Sequence, residues 1–421
     1  MAANPNTFPG IKETWDDVYQ VTHHKIPVFP IISNYRLAAG LKKGDTVHRE
    51  YPSTLVANTM EGDGTYTRQA ATDTDESLVI DKEYDAAFYV KELDEIQNHL
   101  SVRVEYANQA MAALWKQIDG DVLGQYDQFT STVDDGDLSG TDGNGITITT
   151  GNVKKIFFTA RRKLQKQNIL LDMLASFNGF KRPGQDKMGV AVISPEVMQV
   201  LLEAVDGKDT VFGDKVAMNG HAGMFAGFNL FVSNALGWSA TLALATNPTA
   251  DDTITVNGVT WTFKASPSAA GEIDIGGSAD ATRALLTAAI NGTGTQDTAT
   301  TYYEVSAANR LLLKNITATN DDTNNVLTLK ATGWGNIVVS ETLTDATDEW
   351  TAAKQIQHNL FGVAHAIDVV IQKQPNMLVK DRDGKVGKDI VTWTACGYKV
   401  FNEGKARMVD AQVRTDSDPF Q

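Results

Sequence analysis

Carboxylates that could bind a metal ion or carry acid–base chemistry are plentiful in this sequence, as in any acidic chain, so only their spacing could indicate a site. The densest group of carboxylates, Asp134, Asp135, Asp137 and Asp142, lies in the segment STVDDGDLSGTDGNG at 131–145 and raises the question of calcium binding. The spacing does not match the D-x-D/N-x-D/N-G loop with its distal Glu. Clusters of Gly, Asp and Ser are typical of solvated loops, so we expect no metal ion at this segment.

The seven histidines form no metal-binding or nucleophilic pattern. His23 and His24 are adjacent, so their side chains would point to opposite faces of a strand. His358 and His365 lack the partner spacing of a zinc site. Cys396 is the only cysteine, which excludes disulfides within one chain. We therefore predict no catalytic, cofactor-binding or metal-binding residues, no cofactor and no enzymatic activity.

Charge and hydropathy set the broad class of the protein. The 421 residues include 37 Lys and Arg against 52 Asp and Glu, a net charge of −15. This balance argues against nucleic-acid or anionic-membrane binding as the main task. The N-terminal segment MAANPNTFPG lacks the features of a signal peptide, and apolar runs such as MGVAVI at 188–193 are too short to span a bilayer. We expect a soluble protein.

Residues 91–119 predict an unusually long helix. Their apolar residues recur at steps of three and four, which marks one face of an α-helix. These residues are Leu93, Ile96, Leu100, Val104, Ala107, Met111, Leu114 and Ile118. Such a rod would be about 40 Å long. Gly120 and Gly124 leave its continuation through Phe129 open, because glycine disfavours helix.

Two segments precede this rod. Residues 1–44 are broken by prolines and predict an extended arm with a short helix near 15–21, whose aromatic residues lie either on the chain's own core or on a neighbouring subunit. Residues 45–91 predict a long β-hairpin, with β-rich flanks DTVHREYPSTLVANTM and SLVIDKEYDAAFYVKE around a polar turn. A hairpin of this kind is marginal alone, so we expect it to lie against another surface.

After the rod, residues 152–178 predict a second helix with a basic stripe in an otherwise acidic protein. The stripe comprises Lys154, Lys155, Arg161, Arg162 and Lys166. A solvated face is the default explanation for this stripe. We also expect the stripe to meet either the inner surface of an assembly or an acidic neighbouring chain.

The segment 188–207 predicts a buried strand, an N-cap at Ser194 and a helix that begins at Pro195.

Composition changes abruptly at 239–353. This segment is rich in threonine and contains five Lys and Arg residues against 13 Asp and Glu residues. The pieces DTITVNGVTWTFKA, EIDIG, RLLLKNITAT and VLTLKATG read as strands, and SADATRALLTAAING reads as a helix capped by Ser278. We expect this segment to form an inserted domain that lies on an outer face and that the main fold does not need. The alternative is that the segment acts as a brace between subunits.

The segment 354–421 returns to the main domain. FGVAHAIDVVIQ predicts one strand, and two more strands follow a turn at Asp383 and Gly384.

The order of these elements resembles that of the major capsid proteins of tailed bacteriophages, whose fold is named after phage Hong Kong 97. The resemblance is carried by VAVISPEVMQVLLEA, GMFAGFNLFVSNAL, FGVAHAIDVVI and CGYKVFNEGKARMVDAQV, which follow the arm, the hairpin and the rod. It implies an α+β fold. Its parts would be an N-terminal arm (1–44), an extended β-hairpin loop (45–91), a spine helix with the first part of the peripheral and axial domains (92–238), a small β-rich inserted domain (239–353) and closing strands of the main capsid domain (354–421).

The resemblance also implies a function and partners. Copies of the chain would form pentamers and hexamers that close into an icosahedral head shell around double-stranded DNA. The implied location is the virion, after assembly in the host cytoplasm. Partners would be a separate scaffolding protein and a portal, with decoration proteins left open, DNA contacted only non-specifically and no membrane. Residues 51–81 contain no lysine, so we expect no covalent crosslink from the hairpin.

Two alternative functions stay open at this point. The first is a tail or decoration protein with a carbohydrate-binding-like insertion, and the second, less favoured, is a hydrolase.

Overall fold

The computed structural model describes residues 26–35, 46–60, 62, 64, 66–91, 102–169, 189–205, 223–333, 336–381 and 386–414. The chain forms two compact units. The first comprises Met1–Ile26, Glu83–Trp115 and Lys373–Ala395, and the second comprises Pro27–Lys82, Lys116–Gln372 and Cys396–Gln421.

The fold of the described residues is of the α+β type. Its helices are α1 (Phe29–Ile32), α2 (Val102–Leu123), α3 (Val153–Lys166), α4 (Pro195–Val205), α5 (Ala279–Asn291), α6 (Ala307–Leu312) and α7 (Asn402–Lys405). Its strands are β1 (Ser33–Asn34), β2 (Thr46–Pro52), β3 (Asp73–Val79), β4 (Lys82–Val90), β5 (Ser131–Val133), β6 (Gly189–Ile193), β7 (Met224–Phe225), β8 (Phe228–Val232), β9 (Trp238–Ala243), β10 (Thr253–Val256), β11 (Val259–Lys264), β12 (Glu272–Asp274), β13 (Ile316–Asp321), β14 (Val326–Ala331), β15 (Val339–Glu341), β16 (Ile356–Val363), β17 (Ile367–Asp381), β18 (Lys388–Lys399) and β19 (Met408–Arg414). Short 3₁₀ helices occupy Gly124–Gln128, Asp135–Leu138 and Ala352–Lys354.

In the first unit, β4 and the adjoining parts of β17 and β18 form a sheet in the order β17, β18, β4. Side chains along β4 alternate between half-buried and exposed, which is the pattern of a strand with one covered face. Phe88 of β4 packs on Tyr106 of α2, with their ring centroids 5.7 Å apart. This aromatic pair joins the long helix to the sheet within this unit.

The second unit is built around β16, in which all eight residues are buried. It pairs antiparallel with β19, β6 and the start of β9. The sheet continues from β6 through β8 to β7, and from β9 through β14 to β13, while β5 pairs with β19. Strands that are buried along their whole length are expected where a sheet is covered on both faces.

Helices α3 and α4 contribute to one hydrophobic core with this sheet. The core residues of α3 recur on one face and are Val153, Ile156, Phe157, Ala160 and Leu164. The predicted start of α4 is confirmed: Pro195 is its first residue, and the Val197 N–H donates to Ser194 Oγ at 3.3 Å. Each helix therefore buries an apolar stripe and leaves its other face outside the core.

The segment 239–353 has a hydrophobic core of its own. A second sheet in the order β12, β11, β10, β15 contributes Trp261 and Phe263, and α5 contributes Leu286. The β10–β11 turn has Asn257 and Gly258 at φ values of +49° and +79°, as a two-residue hairpin turn requires. The predicted helix cap is confirmed, because the Ala281 N–H donates to Ser278 Oγ at 3.3 Å.

This segment also extends the main sheet. β9 pairs with β16 through Ile356↔Ser239 and Gln357↔Trp238, and β14 pairs with β9 along six residues. The first strand of the segment is absent from the strands predicted by sequence. We propose that 239–353 is one structural unit with its own core, joined to the main domain through a shared sheet.

The long helix and the hairpin match their predictions in part. α2 continues through Gly120 to Leu123, and the chain then tightens into a 3₁₀ helix with a kink at Gln125. β2 pairs antiparallel with β3, from Thr46↔Val79 to Pro52↔Asp73. The second predicted flank is two strands, because β3 ends at Val79 and β4 joins the sheet of β18. The rod before Val102, the helix near 15–21 and the turn at 383–384 lie outside the described residues.

Three predicted elements are wrong in extent or type. The second helix ends at Lys166, because Asn168 adopts a left-handed φ of +62°. The strand predicted from FGVAHAIDVVIQ is two strands, since His365 has a φ of +66°, which an extended chain does not accommodate. The start of RLLLKNITAT is helical: the Asn309 N–H donates to Ser306 Oγ, which caps α6, and β13 follows.

Candidate assembly surfaces

The loop that joins β2 to β3 carries several exposed apolar side chains. Between the two strands, the described residues of 53–72 form no helix or strand. Leu55, Val56, Met60 and Tyr66 are 63–66% exposed. An isolated two-stranded hairpin is marginal in water, so this exposed apolar loop is a candidate interaction surface.

The base of the hairpin is held by charged and polar contacts. Arg49 of β2 lies 3.5 Å from Asp368 of β17 and forms an ion pair with Glu403 of α7. On β3, the Ser77 carbonyl accepts from Lys399 Nζ at 2.7 Å. These contacts fix the base of the hairpin, whereas its loop is exposed.

Asp368, the residue at the base of the hairpin that faces Arg49, has a raised pKa. Burial of its carboxyl group raises the pKa, and the nearby positive charge of Arg49 opposes this shift only in part. Leu78 of β3 is fully buried in a small core with Val370 and Phe401. A buried apolar anchor beside an ion pair therefore positions the hairpin from its base.

The outer face of α3 is basic, as the sequence predicts, although the exposed residues differ from the predicted set. Lys155, Arg162 and Lys166 are exposed, whereas Lys154 and Arg161 are half-buried. Arg161 Nη1 donates to the Ala226 carbonyl at 3.3 Å. The predicted stripe is thus divided between solvent and intramolecular contacts.

Three of the four carboxylates first considered for calcium, Asp134, Asp135 and Asp137, bind protein donors. Asp134 Oδ2 accepts from the Gly143 N–H at 2.7 Å, and Asp135 Oδ2 accepts from the Thr141 N–H at 3.1 Å. Asp137 forms an ion pair with Lys163 and lies 3.6 Å from Arg162. Across the part of the chain that the structure describes, no group of three or more His, Cys, Asp or Glu side chains is placed to hold a metal ion.

The structure brings together a polar network that sequence spacing does not reveal. His358 Nδ1 lies 2.8 Å from Asp410 Oδ2, and its Nε2 lies 2.9 Å from Ser239 Oγ. The Tyr126 ring stacks on the imidazole with a centroid separation of 3.5 Å. This is the atom order of a serine hydrolase triad. His358 and Asp410 are buried and the imidazole face is covered, so the arrangement favours a role in joining β9, β16 and β19.

Cys396 and His365 are the remaining sequence candidates that lie within the described residues. Cys396 is buried, and this burial raises the pKa of its thiol to about 12, so it is a poor nucleophile at neutral pH. His365 is half-buried, with Nδ1 3.0 Å from the Ser33 carbonyl. His23 and His24 lie outside the described residues. No described helix has the length and apolar character to cross a bilayer.

Comparisons with known proteins identify the fold. Neither a protein-family profile nor a curated protein sequence matches this chain. A structure from Mycobacterium phage Che8 is 14% identical with a TM-score of 0.55, and the match covers 97% of this chain and 98% of the other. The capsid structure of Cyanophage P-SCSP1u is 12% identical with a TM-score of 0.54, covering 95% and 92%. The head structure of Helicobacter pylori bacteriophage KHP40 is 10% identical with a TM-score of 0.52, covering 98% and 99%.

These matches span almost the full length of both chains. The predicted fold class, the α+β capsid fold named after phage Hong Kong 97, is therefore confirmed. At such low identity the likeness concerns the arrangement of elements and not particular side chains.

Proposed function

We propose that this chain is the major capsid protein of a tailed bacteriophage, a structural protein that self-assembles as pentamers and hexamers. The closed icosahedral shell would enclose double-stranded DNA, and the chain would reside in the virion after assembly in the host cytoplasm. The observation that carries the proposal is the exposed apolar loop on an anchored hairpin, within a fold shared with phage capsid chains.

The energetics of the hairpin support self-association. Burying one large apolar side chain contributes about 1.5–3 kcal/mol, and the loop offers four, namely Leu55, Val56, Met60 and Tyr66. Arg49 and Leu78 hold the base of the hairpin, so less conformational entropy is lost when the loop docks. A second copy of the chain is the natural acceptor, because symmetric assembly buries the same loop on every copy.

The other partners of the proposed function follow from assembly of a shell. A separate scaffolding protein would guide the closure, and a portal would occupy one vertex. The assembled shell could also carry decoration proteins. DNA would be contacted only non-specifically, in keeping with the net charge of −15.

The proposal is tested by replacing Leu55, Val56, Met60 and Tyr66 with Ser and measuring sedimentation of the purified protein. We expect the unmodified chain to form capsomers or shells, and the variant to remain monomeric with unchanged circular dichroism. Leu311→Ser/Leu312→Ser is the matched control, since these side chains are 72% and 54% exposed on α6. A loop variant that assembles as well as this control would contradict the proposal.

A further inference from the structure

Helix α3 concentrates positive charge in an acidic protein. Its sequence VKKIFFTARRKLQK contains six Lys and Arg residues and no Asp or Glu. Four of its exposed residues lie on one face, because they follow each other at steps of three and four: Lys155, Phe158, Arg162 and Lys166. We call these four residues the α3 stripe. Lys155 and Lys166 form no ion pair with any described residue.

An apolar centre interrupts this basic stripe. The Phe158 side chain is 55% exposed, and its ring lies 6.0 Å from that of Phe225 on β7. Met224, the neighbouring residue on β7, is 47% exposed. Aromatic residues, Met and Arg are enriched in protein–protein interfaces. Contacts to DNA phosphates use charged and polar groups and do not need an exposed apolar centre. The composition of the surface therefore favours a protein partner.

Helix α4 carries the complementary pattern. Its sequence PEVMQVLLEAV contains two Glu residues and no Lys or Arg. Glu196, Val200 and Glu203 are spaced by four and three positions, so they share one face. Glu203 is exposed. Val200 is half-buried and packs in part on the core, and Glu196 is half-buried with its Oε2 atom covered. We call these three residues the α4 stripe. It places an apolar residue between two acids, as the α3 stripe places an aromatic residue between cations.

We propose that the α3 stripe of one copy docks on the α4 stripe of a second copy. This inference rests on the proposed self-assembly and names two surfaces that would meet. Because α3 and α4 share one core, each copy presents a basic helix beside an acidic helix. A contact between two different surfaces of the same chain is heterologous, and repetition of such a contact closes a ring when its rotation divides a full turn, as the rings of five and six copies in the proposed function require. Opposite charges would also set the register of the contact.

Charge reversal on each helix tests the proposal. We expect Lys155→Glu/Lys166→Glu and Glu196→Lys/Glu203→Lys each to weaken association into capsomers by at least about tenfold, because like charges would then face each other. An equimolar mixture of the two variants should recover association into rings with an even number of copies, such as hexamers, since alternating variants let every α3 stripe meet an α4 stripe of opposite charge. A five-membered ring of the mixture cannot alternate and keeps one contact between like charges. Lys314→Glu, at an exposed position of the inserted segment, is the control for net charge and should leave association unchanged.

The outcomes separate this inference from the proposed function. If the unmodified chain and the mixture both remain monomeric, both proposals are overturned. If the unmodified chain assembles but the first variant assembles equally well, or the mixture fails to recover association, only the docking of α3 on α4 is overturned. A first variant that forms normal empty shells but binds DNA less tightly would assign the α3 stripe to nucleic acid instead. Phe158→Ser provides a second variant should the charge reversals on α4 unfold the chain, and it too should weaken association.

Discussion

Gly333, which follows β14, lies directly against Gly120 of the long helix α2. A Cβ atom added at Gly333 would overlap with the Gly120 backbone, and one added at Gly124 would lie 2.9 Å from Thr332 Cγ2. Gly333 also has a φ of +44°, which L side chains rarely adopt. Glycines therefore allow the end of the long helix to pack closely on the inserted segment.

We expect Gly333→Ala to lower the free energy of unfolding by about 2–3 kcal/mol, because overpacking and backbone strain both oppose the folded state. Urea-induced unfolding followed by circular dichroism measures this change. Gly277→Ala is the matched control, because a Cβ atom there meets nothing within 4 Å; its effect should stay below about 0.5 kcal/mol. Equal effects of the two substitutions would contradict the close contact.

The presence of Gly120 and Gly124 in α2 could not be explained from the sequence alone. Helix propensity leaves open whether the long helix continues past Asp119, since glycine disfavours helix. The structure shows why glycine is present: Gly120 and Gly124 face Thr332 and Gly333, which lie far along the chain. The periodicity that predicts α2 is local, whereas the contacts that select its glycines depend on the tertiary fold.

The inserted segment provides a second prediction. Its composition alone suggests that the main fold does not need it, but β9 covers the edge of β16 at Ile356 and Gln357. We therefore expect replacement of 239–353 by a short Gly/Ser linker to unfold much of the second unit, while the isolated segment folds on its own core. Soluble yield and circular dichroism of both products measure this. A truncated chain with native helix content would show that the segment is dispensable.

The anchor of the hairpin predicts a pH dependence. Burial raises the pKa of Asp368, so the folded chain binds this proton at a higher pH than the unfolded chain does. The contribution of Asp368 to stability therefore increases as pH falls through the raised pKa, and it levels off below the ordinary value of 3.8. In Asp368→Asn this contribution should be absent.

Urea unfolding at several pH values, compared between the unmodified chain and Asp368→Asn, isolates the effect. Asp73→Asn makes the same change of charge at an exposed position and serves as control. If the difference between the unmodified chain and Asp368→Asn stays constant with pH, the assigned shift is wrong.

The hairpin also predicts how shells would be held together. Residues 51–81 contain no lysine, so no isopeptide bond can start from a lysine of this loop. We expect purified shells to dissociate to single chains when boiled in detergent. Gel electrophoresis decides the point, and a ladder of covalent multimers would refute the prediction.

The candidate surfaces were predictable to different degrees. β-rich flanks around a polar turn predict the hairpin, and helical spacing predicts the basic face of α3. The contact of Arg49 with Asp368 and the network of Ser239, His358 and Asp410 were not predictable. Their members lie on strands that are distant in sequence, and pairing of those strands depends on the whole sheet.

Electron microscopy of the purified, concentrated chain tests the central claim most directly. The proposed capsid function predicts rings of five and six copies or closed icosahedral shells, and it predicts their loss when Leu55, Val56, Met60 and Tyr66 are replaced by Ser. Shells that contain this chain as their main protein would establish self-assembly. A chain that stays monomeric with its native circular dichroism, across salt concentrations and in the presence of a co-expressed scaffolding protein, would contradict the claim.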